Sequence, residues 1–485
     1  MSLWLAVLIP GGAAILLALY RRHQARINLW ATVLTCCATF LTVLGPAHTG
    51  PAFMLDAISK PFLLTTACIA LCTAFSCPYF LEPVGQEQGG GGKSGAVLFY
   101  PLFQAFLFAM QLALACSNIG ILWVALEGAT LATVLLVAFN RTPRAVEAAW
   151  KYFVLCGVGI AQALFGTVLV AFAARQALDD PERAMNWPAL HAAASHLDPT
   201  VMGIAFVFCL VGYGTKAGLV PLHQWLPDAY SAAIAPLLAM LSGTLLNVAL
   251  YALLRIKMLT DAALATSASQ RVPGMLLVTF GLASVLVAAL LLLRQRDIKR
   301  LFGYSSIEHM GIATFALGLG TPLATFAALL HLLCHGLGKA ALFIIVGAVT
   351  RKAGSRSVEQ IRGLLHLDPR LGWAFVAAAA AMAGLPPFGL FVSEFLILTS
   401  AAAHQPGLAV TLALCMLIGF VALLRQLQPM VLGEASAVAS PSSESLVLGP
   451  SWLQLGLVVT LGMLTPPPIL HVLREAAMRI ITLPP

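Results

Sequence analysis

Residues 200–230 read TVMGIAFVFCLVGYGTKAGLVPLHQWLPDAY and decide the class of fold. The stretch is long and apolar enough to cross a bilayer, because about 20 apolar residues span its hydrocarbon core. Gly214, Gly218 and Pro221 nevertheless interrupt it, and these residue types disfavour a continuous helix. Lys216 lies directly at the interruption. The stretch therefore predicts a membrane-spanning helix that is broken beside a lysine.

The composition of the whole chain agrees with a membrane protein. Of its 485 residues, 60% are hydrophobic and 9% are charged, whereas about 25% of the residues of a soluble domain are charged. Long apolar runs predict helices rather than the alternating strands of a barrel. The formal net charge of +8 lies mostly in short loops, where basic residues set the topology, so we predict no nucleic-acid partner.

Apolar runs divide the chain into fourteen predicted spans. They lie at roughly 3–20, 28–46, 59–81, 97–115, 119–139, 148–173, 200–230, 234–257, 274–294, 303–320, 323–349, 371–402, 406–424 and 451–473. The twelfth run, like the seventh, contains helix breakers: Gly384, Pro386, Pro387 and Gly389. Breaks five spans apart are typical of inverted-repeat transporters. We therefore predict an all-α polytopic protein with two inverted five-helix repeats and broken helices 7 and 12.

The breaks and linkers suggest four segments. They are residues 1–95 (helices 1–3 and a Gly-rich linker, GGGGKSG), 96–258 (first repeat, helices 4–8), 272–425 (second repeat, helices 9–13) and 426–485 (linker and helix 14). Lys and Arg are about twice as frequent in the odd-numbered loops as in the others, which predicts both termini on the outer face of a bacterial inner membrane. The first run is expected to be a retained span rather than a signal peptide.

Ionisable residues inside spans point to function, because a charge near the bilayer centre costs about 3 kcal/mol even on the lenient insertion scale. Glu127 lies within the fifth span, in ILWVALEGATLATVLLVAF, and its own helix contains no charged neighbour. If it faces Lys216, each group stabilises the charge of the other. A proton that arrives on one group then changes the pKa of its partner. The alternative is a static ion pair that serves only helix packing.

A second set of ionisable residues lies in the eleventh span, ALLHLLCHGLGKAALFIIVG. His331, His335 and Lys339 occur at i, i+4 and i+8, which places all three on one flank of a helix. Imidazoles can accept a proton on one nitrogen and release it from the other, so the pattern predicts a proton relay. The spacing of the two histidines also suits a metal ion, but no third ligand is evident, and we predict no metal.

Other polar residues near the breaks have weaker assignments. Glu394 follows the break of the twelfth span and is expected to be a terminal proton acceptor or donor. Lys151 either transfers protons or extends to the membrane interface, and His223 could connect Lys216 with the eighth span. Asp228 and Glu308 lie close to predicted span ends, where a solvated or capping role is expected.

Five stretches together resemble one family. LWVALEGATLATVLLVAFNRTPRAVEAAWKYF, GYGTKAGLVPLHQWLPDAY, DIKRLFGYSSIEHMG, HGLGKAALFIIVGAV and GLPPFGLFVSEFLIL occur in this order. They resemble the proton-conducting antiporter-like subunits shared by respiratory complex I, multisubunit cation/proton antiporters and energy-converting hydrogenases. Within that superfamily, the chain looks most like the membrane subunit of formate-hydrogenlyase-type hydrogenases, and the similarity extends over roughly residues 95–425.

The resemblance implies a polar axis along the membrane plane. Glu127 and Lys216 match the acid–lysine pair of the family, Lys339 its connecting lysine and Glu394 its terminal ionisable group. The family often has a lysine or histidine in the eighth span, where this chain has Asn247, whose amide can relay a proton through water but cannot hold a charge.

The sequence thus predicts a proton-translocating subunit of a redox-driven complex, either an energy-converting hydrogenase or a complex resembling NADH dehydrogenase. It predicts no cofactor in this chain and expects other membrane and peripheral subunits to carry out the redox chemistry. One alternative is a subunit of a cation/proton antiporter or of a proton-driven inorganic carbon uptake system. Sodium would favour further carboxylates in the membrane, and the sequence suggests only Glu127 and Glu394. Another alternative is a non-conducting membrane scaffold.

Overall fold

The computed structural model describes residues 2–81, 92–178, 180–434 and 445–481. Nearly all of them are helical, and the two short strands β1 (His48–Thr49) and β2 (Met54–Leu55) pair antiparallel. The helices are α1 (Ser2–Leu19), α2 (Gln24–Leu44), α3 (Ser59–Leu81), α4 (Gly92–Ala115), α5 (Ile119–Val137), α6 (Pro143–Ala177), α7 (Trp187–Ala192), α8 (Pro199–Ala217), α9 (Trp225–Ala232), α10 (Ala235–Met240), α11 (Leu246–Ala263), α12 (Val272–Leu292), α13 (Ile298–Leu319), α14 (Pro322–Ala353), α15 (Leu364–Leu367), α16 (Pro369–Met382), α17 (Gly389–His404), α18 (Pro406–Leu432), α19 (Ser445–Met463) and α20 (Pro467–Ile481).

The described helices identify a multi-span membrane protein, so the all-α prediction is confirmed. Ten of them are long and apolar enough to cross a membrane, or eleven if α19 and α20, which meet at 70°, form one bent span. The apolar run predicted at 451–473 is therefore not one straight helix. Pro466 lies in the short connection between the two helices, and Pro467 and Pro468 begin α20; proline both lacks the amide hydrogen and restricts the preceding residue.

Two helices are interrupted where the sequence places Gly and Pro. α8 ends at Ala217, and Gly218 closes it in the left-handed region (φ +76°), with its N–H bonded to Gly214 O and Thr215 O; the chain is helical again from Trp225. α16 ends at Met382, and α17 begins at Gly389. Since the sequence breakers coincide with both interruptions, local backbone preference accounts for them.

Several helix boundaries differ from the predicted ones, and two of the differences bear on the predicted segments. α18 continues to Leu432, beyond the predicted end of helix 13 at residue 424, because its apolar and helix-forming residues continue past Arg425. Of the predicted linker GGGGKSG, residues 89–91 lie outside the described residues, whereas residues 92–95 already belong to α4.

The centre of the protein is formed by α14 and by the continuous segment Ala235–Ala263, whose most apolar parts are completely buried. α14 packs against helices from both the N-terminal and the C-terminal parts of the chain: α3, α10, α13, α16, α17, α19 and α20. α6, α12 and α18 lie at the periphery with large apolar side chains exposed, as expected of lipid-facing helices. His331, His335 and Lys339 in the interior of α14 are therefore enclosed by protein.

An ion pair connects the N-terminal segment to this centre. Asp56, in the loop before α3, lies 2.7 Å from the guanidinium of Arg255 on α11, which also donates to Tyr251 Oη at 2.9 Å. Burial by itself raises the pKa of the Asp56 carboxyl, but the charge and hydrogen bonds of Arg255 outweigh it and hold that pKa below its usual value. The ionised pair thus holds the loop before α3 against α11.

Candidate functional site

The candidate site consists of ionisable side chains at two places in the interior of the described helices. The first place holds Glu127 and Lys216, which we call the acid–lysine pair. The second holds His309, His331 and Glu394, which we call the histidine–carboxylate cluster. Lys339 lies on the same helix as His331, two turns further along.

The acid–lysine pair joins α5 to the last turn of α8. Lys216 Nζ lies 3.5 Å from Glu127 Oε2, and the lysine is fully buried whereas the glutamate side chain is 23% exposed. Lys216 Nζ also donates to Leu126 O at 3.4 Å. The C-terminal end of a helix favours a cation, so the end of α8 supports the charge of Lys216 as well. The structure therefore brings together the two residues that the sequence singled out.

Residues that the sequence analysis did not single out hold the break beside Lys216. Trp225 donates from Nε1 to Thr215 O at 2.8 Å, and so adds a second hydrogen bond to a carbonyl that already accepts from Gly218 N. Ser284 on α12 accepts a hydrogen bond from Val220 N at 2.9 Å. These contacts fix the backbone on both sides of Gly218 and thereby position the lysine.

Lys339 has different surroundings. It lies in the interior of the uninterrupted helix α14 and is fully buried. Its Nζ donates to Ser305 Oγ at 2.8 Å and to Phe302 O at 3.1 Å, both on α13. Both hydrogen-bond acceptors are neutral. The ammonium form of this lysine is therefore stabilised by neutral dipoles rather than by a directly bonded carboxylate.

The histidine–carboxylate cluster combines residues from three helices. His309 Nδ1 on α13 lies 3.2 Å from His331 Nε2 on α14 and 3.7 Å from Glu394 Oε1 on α17. The other nitrogens face polar neighbours, since His309 Nε2 lies 3.0 Å from Met382 O and His331 Nδ1 lies 3.0 Å from Ser393 Oγ. The predicted terminal residue Glu394 is therefore close to the predicted relay residue His331, and His309 connects them.

Glu308 lies beside this cluster, and the expectation of a solvated or capping role for it is wrong. It is 8% exposed within α13 and lines a cavity of about 350 Å³ together with His309 and Glu394. Two glycines leave room for the carboxylates. A Cβ atom would lie 2.2 Å from Glu394 Oε2 if added to Gly384, and 2.1 Å from Glu308 Oε1 if added to Gly419.

His309 and Glu308 are the functional candidates that sequence reasoning missed. Both occur in the stretch DIKRLFGYSSIEHMG, in which neither was selected as a proton-transfer residue. The available signal was the adjacency of two ionisable residues in a helix with apolar residues on both sides. That signal does not reveal which neighbouring helix they face.

The three predicted residues of α14 all face α13. His331 contacts His309, the ring of His335 lies 5.3 Å from that of His309, and Lys339 bonds to Ser305. Both ring nitrogens of His335 are buried without a hydrogen-bond partner among the described residues. The predicted alignment along one flank of the helix is therefore present.

Lys151, Asp228 and His223 lie away from both places. Lys151 is about half exposed and pairs with Glu147 at 2.6 Å and with Asp228 at 3.4 Å. Asp228 also pairs with Arg300 at 2.7 Å, so it serves surface ion pairs rather than a helix cap. The recorded ring contact of His223 is with Tyr304 on α13, at 6.4 Å, and does not connect it with the eighth span.

Asn247, which the resemblance places where related proteins often have a lysine or histidine, links α11 to α14. Its amide nitrogen donates to Leu332 O at 2.9 Å and to Gly243 O at 3.2 Å. The amide oxygen is buried without a hydrogen-bond partner among the described residues. Asn247 therefore lies next to the turn of α14 that carries His331 and His335.

Comparison with known proteins gives consistent matches. Residues 116–419 match the family described as NADH:quinone oxidoreductase/Mrp antiporter, TM. A protein named hydrogenase-4 component F homolog, from Methylacidiphilum infernorum, is 43% identical over 464 residues, which cover 94% of this chain and 95% of that protein.

Two solved structures have the same fold. One is the membrane-bound sulfane sulfur reductase, an archaeal respiratory membrane complex, which has a chain with a TM-score of 0.85 and 24% identity; the match covers 99% of this chain and 98% of that one. The other is the Mrp complex from Dietzia sp., with a TM-score of 0.83 and 21% identity, covering 99% and 97% of the two chains.

Proposed function

Because this chain belongs to the NADH:quinone oxidoreductase/Mrp antiporter family, we propose that it is a proton-translocating membrane subunit of a redox-driven complex of the hydrogenase or NADH dehydrogenase type. The observation that carries the proposal is the set of ionisable side chains buried inside a membrane protein: Glu127, Lys216, His309, His331, His335, Lys339 and Glu394. Such residues are costly in a membrane and mark ion pathways. The redox chemistry belongs to partner subunits, both membrane and peripheral.

Proton movement begins at the acid–lysine pair in this proposal. A change of charge on Glu127 or Lys216 alters the electrostatic free energy of the other, because they lie 3.5 Å apart. This change of charge is then transmitted to Lys339, and from Lys339 to the histidines of α14. Energy comes from the partner subunits, since each proton moved against the membrane potential requires about 2.3 kcal/mol per 100 mV.

The connection between the two halves relies on neutral groups. Ser242, in the π-helical segment Leu241–Leu245, lies 3.0 Å from Ser306, which is adjacent to the Lys339 partner Ser305. Hydroxyl groups both accept and donate, and they can therefore pass a proton without holding a charge. We assign Asn247 a similar neutral role together with water, and π-helical segments are frequent at functional sites.

The end of the pathway lies at the histidine–carboxylate cluster. His309 is within 3.2 Å of His331 and within 3.7 Å of Glu394, so a proton can reach the carboxylate through two imidazoles. Glu394 lines the cavity, and we assign this cavity as the place where the proton leaves the histidine–carboxylate cluster. Lys151 and His223 are left outside this pathway.

The proposal includes the finer architecture. It counts α1, α13, the broken helix α16–α17 and the bent pair α19–α20 as spans in addition to the others, which makes fourteen. It divides residues 96–258 and 272–425 into two inverted repeats, each with one broken helix, supported by the interruptions after Ala217 and Met382. Both termini lie on the outer face of a bacterial inner membrane.

Transport of another cation in exchange for protons is a second candidate, and the position of Glu308 favours it. The sequence argument against sodium counted only two deep carboxylates, which is wrong because Glu308 is buried beside Glu394. Hard cations prefer oxygen ligands, and two carboxylates at one cavity provide them. The family description also includes Mrp antiporters.

One experiment separates these functions. The chain is purified with its native partners, these are identified by mass spectrometry, and substrate-driven proton uptake is measured in proteoliposomes with and without sodium. We expect hydrogenase or dehydrogenase subunits and proton uptake that needs no sodium. Antiporter subunits with a sodium requirement would establish the second candidate. Proton uptake that is indifferent to neutralisation of both Glu127 and Lys216 would instead indicate a scaffold.

A further inference from the structure

Three electron-pair donor atoms converge inside the membrane domain: His309 Nδ1, His331 Nε2 and Glu394 Oε1. All three lie within 4.8 Å of one another, and two of the separations are 3.2 and 3.7 Å. They come from α13, α14 and α17, so the convergence is created by the packing of three separate helices. A set of two imidazoles and one carboxylate is a recurrent ligand set for zinc.

The hydrogen bonds around the cluster fix which ring nitrogens carry hydrogen. His309 Nε2 faces Met382 O, and a carbonyl oxygen only accepts, so Nε2 is the protonated nitrogen and Nδ1 has a free lone pair. Ser393 Oγ donates to Leu390 O at 2.8 Å and therefore accepts from His331 Nδ1. His331 Nε2 consequently has a free lone pair as well. This assignment follows from the hydrogen-bond network.

Two neutral imidazoles in these tautomers direct lone pairs at each other across 3.2 Å, with a carboxylate oxygen beside them. That arrangement is repulsive unless a cation lies between the three atoms. A proton can serve as this cation, and so can a metal ion. The outer hydrogen bonds from each imidazole to Met382 O and Ser393 Oγ are also those that orient histidine ligands around a metal.

The spacing fits a small divalent ion. Zinc binds imidazole nitrogen at about 2.0–2.1 Å, so neighbouring ligand atoms in a tetrahedral site lie about 3.4 Å apart. Two of the three separations, 3.2 and 3.7 Å, lie on either side of that value. The third, between His331 and Glu394, is at most 4.8 Å, so the flexible Glu394 side chain completes the geometry as the ion binds. The cavity beside Glu394 leaves a fourth position open for water, and Glu308 on its wall supplies a second carboxylate near the positive charge.

We propose that His309, His331 and Glu394 form a binding site for a first-row divalent transition-metal cation such as Zn²⁺, which competes with the proton and occludes the end of the pathway. The cation is an inhibitor, not a resident cofactor. The spacing of His331 and His335 in the sequence suggested a metal without a third ligand; the structure instead combines His331 with ligands from two other helices. Binding does not depend on the proposed function, whereas the inhibition rests on it.

The test uses the full chain with its native partners, stripped of metal by a chelator and titrated with ZnCl₂ against a chromophoric competitor. We expect one tight site per chain. His331→Asn and Glu394→Gln each weaken it by more than about 100-fold, since even outer-shell changes cost about 10–100-fold. His335→Asn is the matched control, because it removes a buried histidine one turn away that lies outside the ligand set, and we expect unchanged affinity.

Two further measurements guard against misfolded variants. Ser393→Ala keeps all three ligands and is expected to weaken zinc binding about 10–100-fold through loss of the outer hydrogen bond. X-ray absorption of the unmodified complex with bound zinc should show nitrogen and oxygen ligands that include two imidazoles. Wild-type affinity in both His331→Asn and Glu394→Gln, or a spectrum without imidazole, would overturn the site.

The inhibitory effect is measured separately as substrate-driven proton uptake at increasing ZnCl₂. Loss of uptake with the same midpoint as binding, and a midpoint about 10–100-fold higher in Ser393→Ala in parallel with its weaker zinc binding, support occlusion. Full uptake with the site saturated would overturn the occlusion. If zinc binds as expected but no variant or condition shows proton transfer at all, the proposed function fails while the metal site stands.

Discussion

Lys216 and Lys339 are both fully buried lysines, yet their surroundings differ. Lys216 lies at the end of a broken helix, 3.5 Å from the carboxylate of Glu127. Lys339 lies inside a continuous 32-residue helix and bonds to a hydroxyl and a backbone carbonyl. The same residue type therefore has a charged partner in one half of the protein and neutral hydrogen-bond partners in the other.

The difference indicates a division of roles within the proposed pathway. A buried ammonium next to a carboxylate is stabilised as a charge, whereas one among neutral dipoles keeps more of its desolvation penalty. Lys216 is thus suited to hold a charge that Glu127 and the helix end stabilise, and Lys339 to receive a proton briefly and pass it on. Four predictions test this contrast, in order of decreasing effect.

The largest effect is expected for Lys216→Met. Proton uptake in proteoliposomes should fall by roughly 100-fold or more, the size typical of losing a proton-transfer group, while the subunits still assemble. Lys257→Met is the control, since Lys257 is also a buried lysine with a carboxylate partner, Asp261, but lies outside the pathway. Similar losses in both variants would show that any buried lysine pair matters and would remove the special role of Lys216.

The next effect concerns stability. Glu127→Gln leaves the Lys216 charge without its carboxylate and should lower the free energy of unfolding by about 2 kcal/mol, less than for a fully buried pair because Glu127 is partly exposed. Thermal unfolding of the purified chain measures this. The double variant Glu127→Gln/Lys216→Met should recover most of the stability without recovering proton uptake; recovery of both would favour a packing role.

The third prediction concerns the second half of the molecule. Gly384→Ala places a Cβ against Glu394 Oε2, displaces the carboxylate from the histidine–carboxylate cluster, and should lower proton uptake about tenfold. Gly354→Ala is a matched control, because Gly354 also has a positive φ (+62° against +64°) but open space around a new Cβ. The backbone strain of about 1–2 kcal/mol is common to both variants. Equal losses of uptake would assign the effect to strain alone.

The smallest effect is expected for the stability of Lys339→Met. Removal of an ammonium that has neutral partners should change the free energy of unfolding by no more than about 1 kcal/mol, because the lost hydrogen bonds are offset by the avoided desolvation. Proton uptake should nevertheless fall. A destabilisation as large as that of Glu127→Gln would mean that Lys339 is a structural charge like any other, and the contrast with Lys216 would disappear.

Local sequence signals predicted several parts of this arrangement. Glu127, Lys216 and Lys339 are conspicuous because they are charged residues in apolar runs, and the breaks at Gly218 and Gly384 follow from residues that disfavour helices. The alignment of His331, His335 and Lys339 follows from helix geometry alone. Each of these inferences needs only one element of the chain.

Interactions between elements were the part that sequence reasoning missed. His309 and Glu308 belong to the site because α13 packs against both α14 and α17, and no pattern within α13 contains that information. Lys151 has the same residue type as Lys216, but it lies on the exposed end of α6 and joins surface ion pairs. The bend between α19 and α20 was likewise hidden by an apolar run that continues through it.

The amino-acid sequence alone specifies that this chain is a helical membrane protein and which ionisable groups lie within its spans. It can do so because hydrophobicity and the cost of a buried charge depend on residue type and on position along one helix. The pairing of those groups depends on helix packing. Glu127 meets Lys216 across 89 positions of the chain, and His309 joins His331 to Glu394 across three helices. Such contacts are set by the shapes of many side chains together.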